Sequence, residues 1–314
     1  MKKLLCVHDV ADPKAHLDLM KTIKSEPLAD KHLGEGKTLG LVFFNPSLRT
    51  RLSSQKAAKN LGMEVLVMNV GSDGWALEME DGVVMNGTTQ EHIKEAVGVL
   101  STYCDIIGVR SFGALTDSEE DEKEKVLSAF DLHATVPIIS LESATGHPLQ
   151  AWADMLTIVE NSTKPRPKVV LTWAPHPKAL PQAVANSFVD AMKCMDADFV
   201  VACPEGMELS PERMKGVEVI HNQEEAFQNA DFVYAKNWSS YSDYGAVNTE
   251  NNHWTVSSEK LDPETKFMHC LPVRRNVVVA DTVLDSPASL VLQQAENRVY
   301  SMQAVLHKLL SHGE

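Results

Sequence analysis

The sequence contains few cysteines, a minority of basic residues and no long apolar run. Its five cysteines include no Cys-x-x-Cys pair, which excludes a paired-cysteine zinc framework and is typical of reduced thiols in the cytoplasm. Lys and Arg number 29 against 43 Asp and Glu, a net charge of −14, which argues against nucleic acid as a main partner. No stretch reaches the roughly 18 apolar residues of a membrane span, and the apolar start breaks too early for a secretory signal. The sequence therefore predicts a soluble, cytoplasmic protein.

Short apolar runs alternate with longer segments of helical period, which predicts an α/β fold. The runs are apolar throughout, as expected of parallel strands that are covered on both faces. The predicted strands are residues 38–43, 64–68, 105–109, 136–140, 168–172, 199–203, 217–221, 232–236, 267–270 and 289–292. The predicted helices are residues 51–61, 90–102, 149–160, 178–195 and 296–310.

Two doubly wound domains, each with a central parallel sheet, account for this order and for a length of 314 residues. We expect the first domain to span residues 1–147 and the second to span residues 148–293. The final helix, within residues 294–314, has apolar side chains at helical spacing, and we expect it to pack back on the first domain.

The strongest local signal is residues 47–51 (SLRTR), which follow a predicted strand and the Asn45-Pro46 pair. Ser47 is a good N-cap, and a helix start offers free N–H groups to an anion. Arg49 adds a planar fork that matches phosphate oxygens. The pattern leaves two interpretations open, a phosphate site or simply a capped helix with solvent-facing arginines, and it is not a P-loop.

Further polar residues follow other predicted strands, where α/β proteins place ligand contacts. His147 and Gln150 flank Pro148 at a helix start and suit a carbonyl oxygen and an –NH2 group, although an incidental polar helix start fits equally well. Arg110 follows another strand. Cys270, in the motif of residues 269–272 (HCLP), is by itself most simply a packed small residue.

Together the three motifs SLRTR, HPLQ and HCLP, in this order and spacing, resemble the aspartate and ornithine transcarbamylases over nearly the whole chain. The resemblance implies a carbamoyl-phosphate domain followed by an amino-acid domain, and a homotrimer whose active sites are shared between subunits. It implies two small-molecule substrates, without a metal or cofactor.

The acceptor branch is indicated by the segment around Lys236, where ornithine transcarbamylases carry an Asp and a Ser-Met-Gly motif. Lys236 would repel a free α-ammonium, so the acceptor is expected to be acylated at that nitrogen. Residues 172–178 (TWAPHPK) and 85–92 (MNGTTQEH) are similar to the N-acetylornithine and N-succinylornithine transcarbamylases.

The resemblance also implies the roles of individual residues. Carbamoyl phosphate would be held by Ser47, Leu48, Arg49, Thr50, Arg110, His147, Gln150, Cys270, Leu271 and Arg298, with Trp75 supplied by the neighbouring subunit. The acylated ornithine would be bound by Glu142, His176, Lys236, Arg274 and Gln90, although Glu142 also fits a helix-start acid and Trp75 an exposed loop aromatic. The catalytic residues would be Arg110, His147, Thr50, Gln150 and Cys270, the last not as a nucleophile.

The acyl group depends largely on position 90, where Glu accompanies acetyl and Pro accompanies succinyl in the family. Gln90 matches neither, but it lacks the carboxylate that would repel a succinyl tail. Lys236 and Arg274 supply one cation more than an acetyl amide needs. We therefore predict N-succinylornithine as acceptor, with N-acetylornithine as the alternative. Further alternatives are carbamoyl transfer to ornithine, putrescine or aspartate, a non-catalytic carbamoyl-phosphate-binding paralogue and an unrelated anion-binding protein.

Overall fold

The computed structural model describes residues 1–311, and the last three predicted residues of the C-terminal helix, 312–314, lie outside them. The chain forms two compact units. The first unit comprises residues 1–113, 119–149 and 298 onward, and the second comprises residues 114–118 and 150–297. The chain enters the second unit within one helix, Pro148–Asn161, and returns to the first within another, Val291–Ser311.

The first unit contains a four-stranded parallel sheet in the order β2-β1-β5-β6. Its central strands are buried almost throughout, which explains their uninterrupted apolar sequence. A short parallel pair, β3-β4, lies apart from this sheet. The strands are β1 (Thr38–Phe43), β2 (Glu64–Asn69), β3 (Leu77–Glu78), β4 (Glu91–His92), β5 (Ile106–Arg110) and β6 (Ile138–Glu142).

The second unit contains a five-stranded parallel sheet in the order β11-β10-β7-β8-β9. Parallel neighbours of this kind place all carboxyl ends at one edge of the sheet. The strands are β7 (Lys168–Trp173), β8 (Asp198–Ala202), β9 (Glu218–Ile220), β10 (Phe232–Lys236) and β11 (Lys266–Met268). The predicted α/β class with two parallel-sheet domains is thereby confirmed.

The helices connect the strands in both units. They are α1 (Pro13–Ser25), α2 (Leu48–Asn60), α3 (Ile93–Tyr103), α4 (Ser118–Glu122), α5 (Lys125–His133), α6 (Pro148–Asn161), α7 (Ala183–Lys193), α8 (Pro211–Met214), α9 (Gln223–Phe227), α10 (Asp281–Leu284) and α11 (Val291–Ser311). The predicted strand at 289–292 is wrong. Ser289 makes only an isolated bridge to Phe267, and α11 begins at Val291, because a short apolar run looks the same at the start of a buried helix.

The end of α11 packs within the first unit. Met302, Val305 and Leu306 are fully buried. The Gln303 side chain donates to the Pro27 carbonyl at 2.7 Å and accepts from Asn60 at 2.9 Å. Within the described residues, no helix is long and apolar enough to cross a membrane.

Candidate active site

The junction between β1 and α2 forms the start of the site in the first unit. Ser47 has extended backbone angles, and its hydroxyl accepts from the Thr50 amide at 3.2 Å, as predicted for an N-cap. Helix α2 therefore begins at Leu48, three residues before the predicted start. The Asn45 side chain accepts from the Phe112 amide at 2.7 Å and so ties the loop before the helix to the chain leaving β5.

Sheet register brings Arg110 and Glu142 side by side. Arg110 is the last residue of β5, Glu142 is the last residue of β6, and the two are paired after an irregularity between Val109 and Arg110. Nη1 of Arg110 contacts Oε2 of Glu142. Arg110 also lies 4.5 Å from the ring centroid of Phe112. Its buried Nε has no hydrogen-bond partner among residues 1–311, so this guanidinium retains a donor for a ligand.

Thr50, His147 and Arg298 complete a buried cluster around this pair. Nη2 of Arg298 donates to the Thr50 hydroxyl at 2.6 Å and lies 3.3 Å from Nε2 of His147. Arg110 reaches the same hydroxyl at 3.4 Å, and Nε2 of His147 lies 3.4 Å from Oε2 of Glu142. The cluster thus holds two arginines against one carboxylate, beside the start of α2.

A tight turn positions His147, and one carboxylate holds that turn. Glu124 accepts hydrogen bonds from the Ser143 hydroxyl, the Ala144 amide, and both the amide and the hydroxyl of Thr145. The Ser143 amide in turn donates to the Gly146 carbonyl at 2.7 Å, which closes the turn immediately before His147.

In the second unit, Gln150 belongs to a buried amide and carboxylate network. Its Nε2 donates to Asp154 at 2.7 Å, and Gln294 donates to the same oxygen at 2.9 Å while accepting from the His269 amide. Oε1 of Gln150 is buried without a hydrogen-bond partner in the described part of the chain, so it is available to an –NH2 donor.

The HCLP segment joins this network through a tyrosine. Tyr234 lies close to both Cys270 and Asp154, and burial, together with the Asp154 charge, raises the pKa of Tyr234 well above its usual value. Leu271 adopts a left-handed φ of 53°, a conformation that β-carbon sterics disfavour and that clusters at ligand-binding segments. Its amide donates to Nδ1 of His269 at 2.9 Å.

Lys236, His176 and Arg274 form the cationic part of the second unit. Lys236 ends β10, is buried, and donates to the Asn237 carbonyl at 3.2 Å. Nε of Arg274 donates to Nε2 of His176 at 3.1 Å. Burial lowers the pKa of His176, and the charges of Arg274 and Lys236 lower it further. A neutral imidazole between cations is suited to anionic groups of a ligand.

Trp75 and Gln90 lie in the segment around β3 and β4 of the first unit. Nε1 of Trp75 donates to Glu91 at 2.8 Å, and the Gln90 amide faces the Ala76 carbonyl at 3.4 Å. Trp75 is 51% exposed, and Gln90 is exposed. The hydrogen bonds that the structure gives these two residues are therefore local to this segment.

Sequence reasoning predicts that Glu142 binds the acceptor, and the structure places it beside Arg110 inside the arginine cluster, a contact that the sequence did not indicate. Sequence reasoning missed Asn45, Glu124, Asp154 and Gln294. Asp154 had a usable signal, since it lies four residues after Gln150 on one helix face. Glu124 had none, because it lies in a run of charged residues.

Comparison with known families accounts for this arrangement. Residues 2–160 match the model for the aspartate/ornithine carbamoyltransferase carbamoyl-P binding domain, and residues 181–309 match the model for the Asp/Orn binding domain. The chain belongs to the aspartate/ornithine carbamoyltransferase family. The resemblance that the SLRTR, HPLQ and HCLP motifs indicate is thereby confirmed. The relatives of this chain are carbamoyltransferases, which are transferases.

Three similar proteins illustrate its relations. N-succinylornithine carbamoyltransferase of Bacteroides thetaiotaomicron is 48% identical over 314 residues, 99% of each chain. N-acetylornithine carbamoyltransferase of Xanthomonas campestris pv. campestris is 37% identical over 299 residues, 88% of each chain. A crystal structure of N-acetyl-L-ornithine transcarbamylase, a glutamate-to-proline variant complexed with carbamyl phosphate and N-succinyl-L-norvaline, has a TM-score of 0.91 at 36% identity and covers 98% of this chain and 100% of that one.

Proposed function

We propose that this protein transfers the carbamoyl group of carbamoyl phosphate to the δ-amine of N-succinyl-L-ornithine, giving N-succinyl-L-citrulline and phosphate. The observation that carries the proposal is the buried cluster of Thr50, Arg110, His147 and Arg298 beside the start of α2. Such a cluster suits a small phosphorylated carbamate, because the helix start binds phosphate and the arginines balance its charge.

The reaction needs neither a covalent intermediate nor a nucleophilic cysteine. The neutral δ-amine attacks the carbamoyl carbon, and the oxygen of the tetrahedral centre takes up negative charge. Thr50, Arg110 and His147 donate to that oxygen, which is the largest expected contribution to the rate. The bond to phosphate oxygen then breaks, and the leaving phosphate accepts the proton of the attacking amine while residues 47–50 and Arg298 hold it.

Two further carbamoyl-phosphate contacts are proposed for the second unit. Oε1 of Gln150 is positioned by the Gln150–Asp154 bond and would accept from the carbamoyl –NH2 group. The backbone at Cys270 and Leu271 would contact the same group, and the left-handed conformation of Leu271 supports a ligand-shaped segment there. Binding both substrates in fixed geometry replaces a bimolecular encounter and saves activation entropy.

The acceptor follows from the cations of the second unit. A free α-ammonium would be repelled by Lys236, whereas an N-acylated ornithine has no charge at that nitrogen. N-Succinylornithine carries two carboxylates, and Lys236 with Arg274 supplies two cations beside the neutral His176. The 48% identity to an N-succinylornithine carbamoyltransferase over nearly the full length supports the same acceptor.

Position 90 bears on the choice between succinyl and acetyl. Gln90 has no carboxylate to repel a succinyl tail, and a glutamate-to-proline variant of an acetylornithine enzyme has been crystallised with N-succinyl-L-norvaline. N-Acetylornithine remains the second candidate acceptor, because the chain is 37% identical to an N-acetylornithine carbamoyltransferase.

Turnover with each acceptor tests the proposal. We expect N-succinyl-L-ornithine to give a kcat/KM at least about tenfold above that of N-acetyl-L-ornithine, a difference of roughly 1.4 kcal/mol, and ornithine itself to be inactive. The Gln90→Glu variant should shift the acceptor preference towards N-acetylornithine, and the Gln90→Pro variant should retain the preference for N-succinylornithine. The Gln228→Glu variant, which changes an exposed residue, is the matched control. Equal rates with unmodified ornithine would contradict the proposed role of Lys236.

The proposal includes a homotrimer in which Trp75 completes the carbamoyl-phosphate site of a neighbouring subunit. Exposed apolar side chains of the first unit support a covered surface there, namely Leu48 at 69%, Leu52 at 57% and Trp75 at 51%. Light scattering should give three times the chain mass of 34.6 kDa. A mixture of Trp75→Ala with Arg110→Ala subunits should recover activity that neither variant has alone, and no recovery would contradict shared sites.

We place this reaction in arginine biosynthesis in the cytoplasm, since its product is an acylated citrulline. None of the five cysteines forms a disulfide within the described residues, which supports a reducing compartment.

A further inference from the structure

Outside the candidate active site, three metal-ligating side chains converge at the carboxyl edge of the second sheet. Cys203 directly follows β8, His221 directly follows β9, and Glu208 lies in the loop that leaves β8. One ligand atom from each of these residues lies within 4.8 Å of the other two, and the described residues contain no second group of this kind.

The two parallel strands create this convergence. Ala202 pairs with Ile220, and the Cys203 amide donates to the Ile220 carbonyl at 3.2 Å, so Cys203 and His221 leave the sheet side by side. The loop that carries Glu208 is held in place separately. The Trp238 indole donates to the Met207 carbonyl at 2.8 Å, and the Ser240 hydroxyl donates to the Gly206 carbonyl at 2.7 Å.

The orientation of His221 is that of a metal ligand. Its Nδ1 lies 2.9 Å from the Cys203 carbonyl, which as an acceptor requires the proton on Nδ1. Nε2 is then the lone-pair nitrogen, and it points to Glu208 at 3.6 Å. Backbone carbonyls that fix the tautomer of a histidine in this way are the usual outer contacts of zinc-bound imidazoles.

We propose that Cys203, Glu208 and His221 bind a zinc ion, with water as the fourth ligand. Sulfur, nitrogen and oxygen donors of this kind are the ones that zinc selects, and three protein ligands leave one position open. Binding displaces the thiol proton to solvent, so a thiolate and a carboxylate neutralise the charge of the ion. The partly exposed Glu208 and His221 side chains provide the entry path and the freedom to close around it.

Cobalt(II) is the probe that tests the site, because a thiolate ligand gives it a charge-transfer band in the near ultraviolet and tetrahedral coordination gives intense visible bands. The full-length protein, stripped with chelator, should bind one equivalent of cobalt with both features, and zinc should displace it stoichiometrically. Zinc should also raise the Tm.

Variants with matched controls identify the ligands. Cys203→Ser should abolish the charge-transfer band, whereas Cys194→Ser should retain it. Glu208→Gln and His221→Gln alter partly exposed side chains and should weaken zinc binding by at least about tenfold, while the exposed Glu205→Gln and His253→Gln should not. Absence of the band in the parent protein, or equal zinc affinity in the His221→Gln variant, would overturn the proposal even if Cys203→Ser failed to fold.

Discussion

Arg110 combines burial, one carboxylate partner and an unused donor. Its Nη1 contacts Glu142, and its Nε makes no hydrogen bond to any residue that the structure describes. A buried cation with spare donors is the arrangement that stabilises developing negative charge, because the low dielectric strengthens the interaction and the donors are already oriented.

Replacing Arg110 by alanine should therefore reduce kcat by roughly 10²–10³-fold, the usual cost of removing an oxyanion donor. Steady-state kinetics with N-succinylornithine and a far-ultraviolet circular dichroism spectrum provide the measurement. Arg166→Ala, an exposed change in the second unit, is the control. Near-normal turnover in Arg110→Ala would refute the site assignment.

Glu142 contacts the Arg110 guanidinium, which under the proposed function binds carbamoyl phosphate. Glu142→Gln should remove this competition and tighten the binding of inorganic phosphate or pyrophosphate by about tenfold, or roughly 1.4 kcal/mol. Isothermal titration with the exposed Glu95→Gln as control measures the effect. An unchanged or weaker anion affinity would show that Glu142 positions Arg110 rather than competing for it.

The buried His16 is expected to make the folded state less stable at acid pH. Burial, with a smaller contribution from Lys308, lowers its pKa from 6.5 to about 3. Between these values the unfolded chain binds a proton that the folded chain does not, so the free energy of unfolding falls as the pH falls below 6.5. At pH 4.5 the loss from this one group should be roughly 3 kcal/mol.

Urea unfolding at pH 7 and pH 4.5 measures this loss. The His16→Gln variant cannot titrate at this position, so its stability should change less between the two pH values. His32→Gln, an exposed change, should behave like the parent. Identical pH dependence in His16→Gln would assign the acid sensitivity to other groups.

At the scale of the element, the segment after β6 shows how a loop can be made rigid. Glu124 adopts a left-handed φ of 49°, which is uncommon for this residue type, and its carboxylate receives four hydrogen bonds from residues 143–145. The carboxylate thereby provides hydrogen-bond partners that the turn does not obtain from a sheet. It also holds His147, the residue before Pro148, in place.

We expect Glu124 to act as a positioning residue for His147. Glu124→Gln replaces an acceptor oxygen by a donor facing other donors, so the turn should shift and kcat should fall about tenfold or more, as small displacements of catalytic groups do. A purely structural role would lower the Tm and leave kcat at saturating substrate unchanged. Glu122→Gln, exposed and two residues away, is the control.

At the scale of the whole molecule, the first unit is built from both ends of the chain. Residues 298 onward belong to it, while the second unit is almost continuous from residue 150 to residue 297. Besides Ala304, the last helix contributes four larger buried apolar side chains to the first unit, Met302, Val305, Leu306 and Leu309. At roughly 1.5–3 kcal/mol for each side chain, their burial is comparable to the net stability of a domain.

A chain ending at Asn297 should therefore lose the cooperative unfolding of the first unit. Calorimetry of this truncated chain and of the full-length protein measures the effect. Leu306→Ala, at 0% exposure, should already cost roughly 2–5 kcal/mol, whereas Leu292→Ala, at 77% exposure, should cost little. A truncated chain with an unchanged transition would contradict the contribution of this helix.

The secondary structure was predictable from the sequence where burial of apolar side chains alone determines the pattern. Residues 38–43 and 232–236 form strands with the predicted bounds, because nearly continuous burial favours apolar side chains at all but the terminal positions Thr38 and Lys236. Residues 289–292 were predicted wrongly, since Leu290 and Val291 are buried at a helix start. The strands Leu77–Glu78 and Glu91–His92 are too short to have a pattern.

Sequence alone determined the family, the α/β class and the Ser47 N-cap, because these depend on residue types at short range and on the order of three motifs. Only the tertiary structure decided that Arg110 pairs with Glu142, that Arg298 reaches Thr50, and that Cys203, Glu208 and His221 converge. These contacts follow from strand register and from helix packing between residues far apart in the chain. No local pattern specifies such contacts, since a shift of one residue turns a side chain to the opposite face of the sheet.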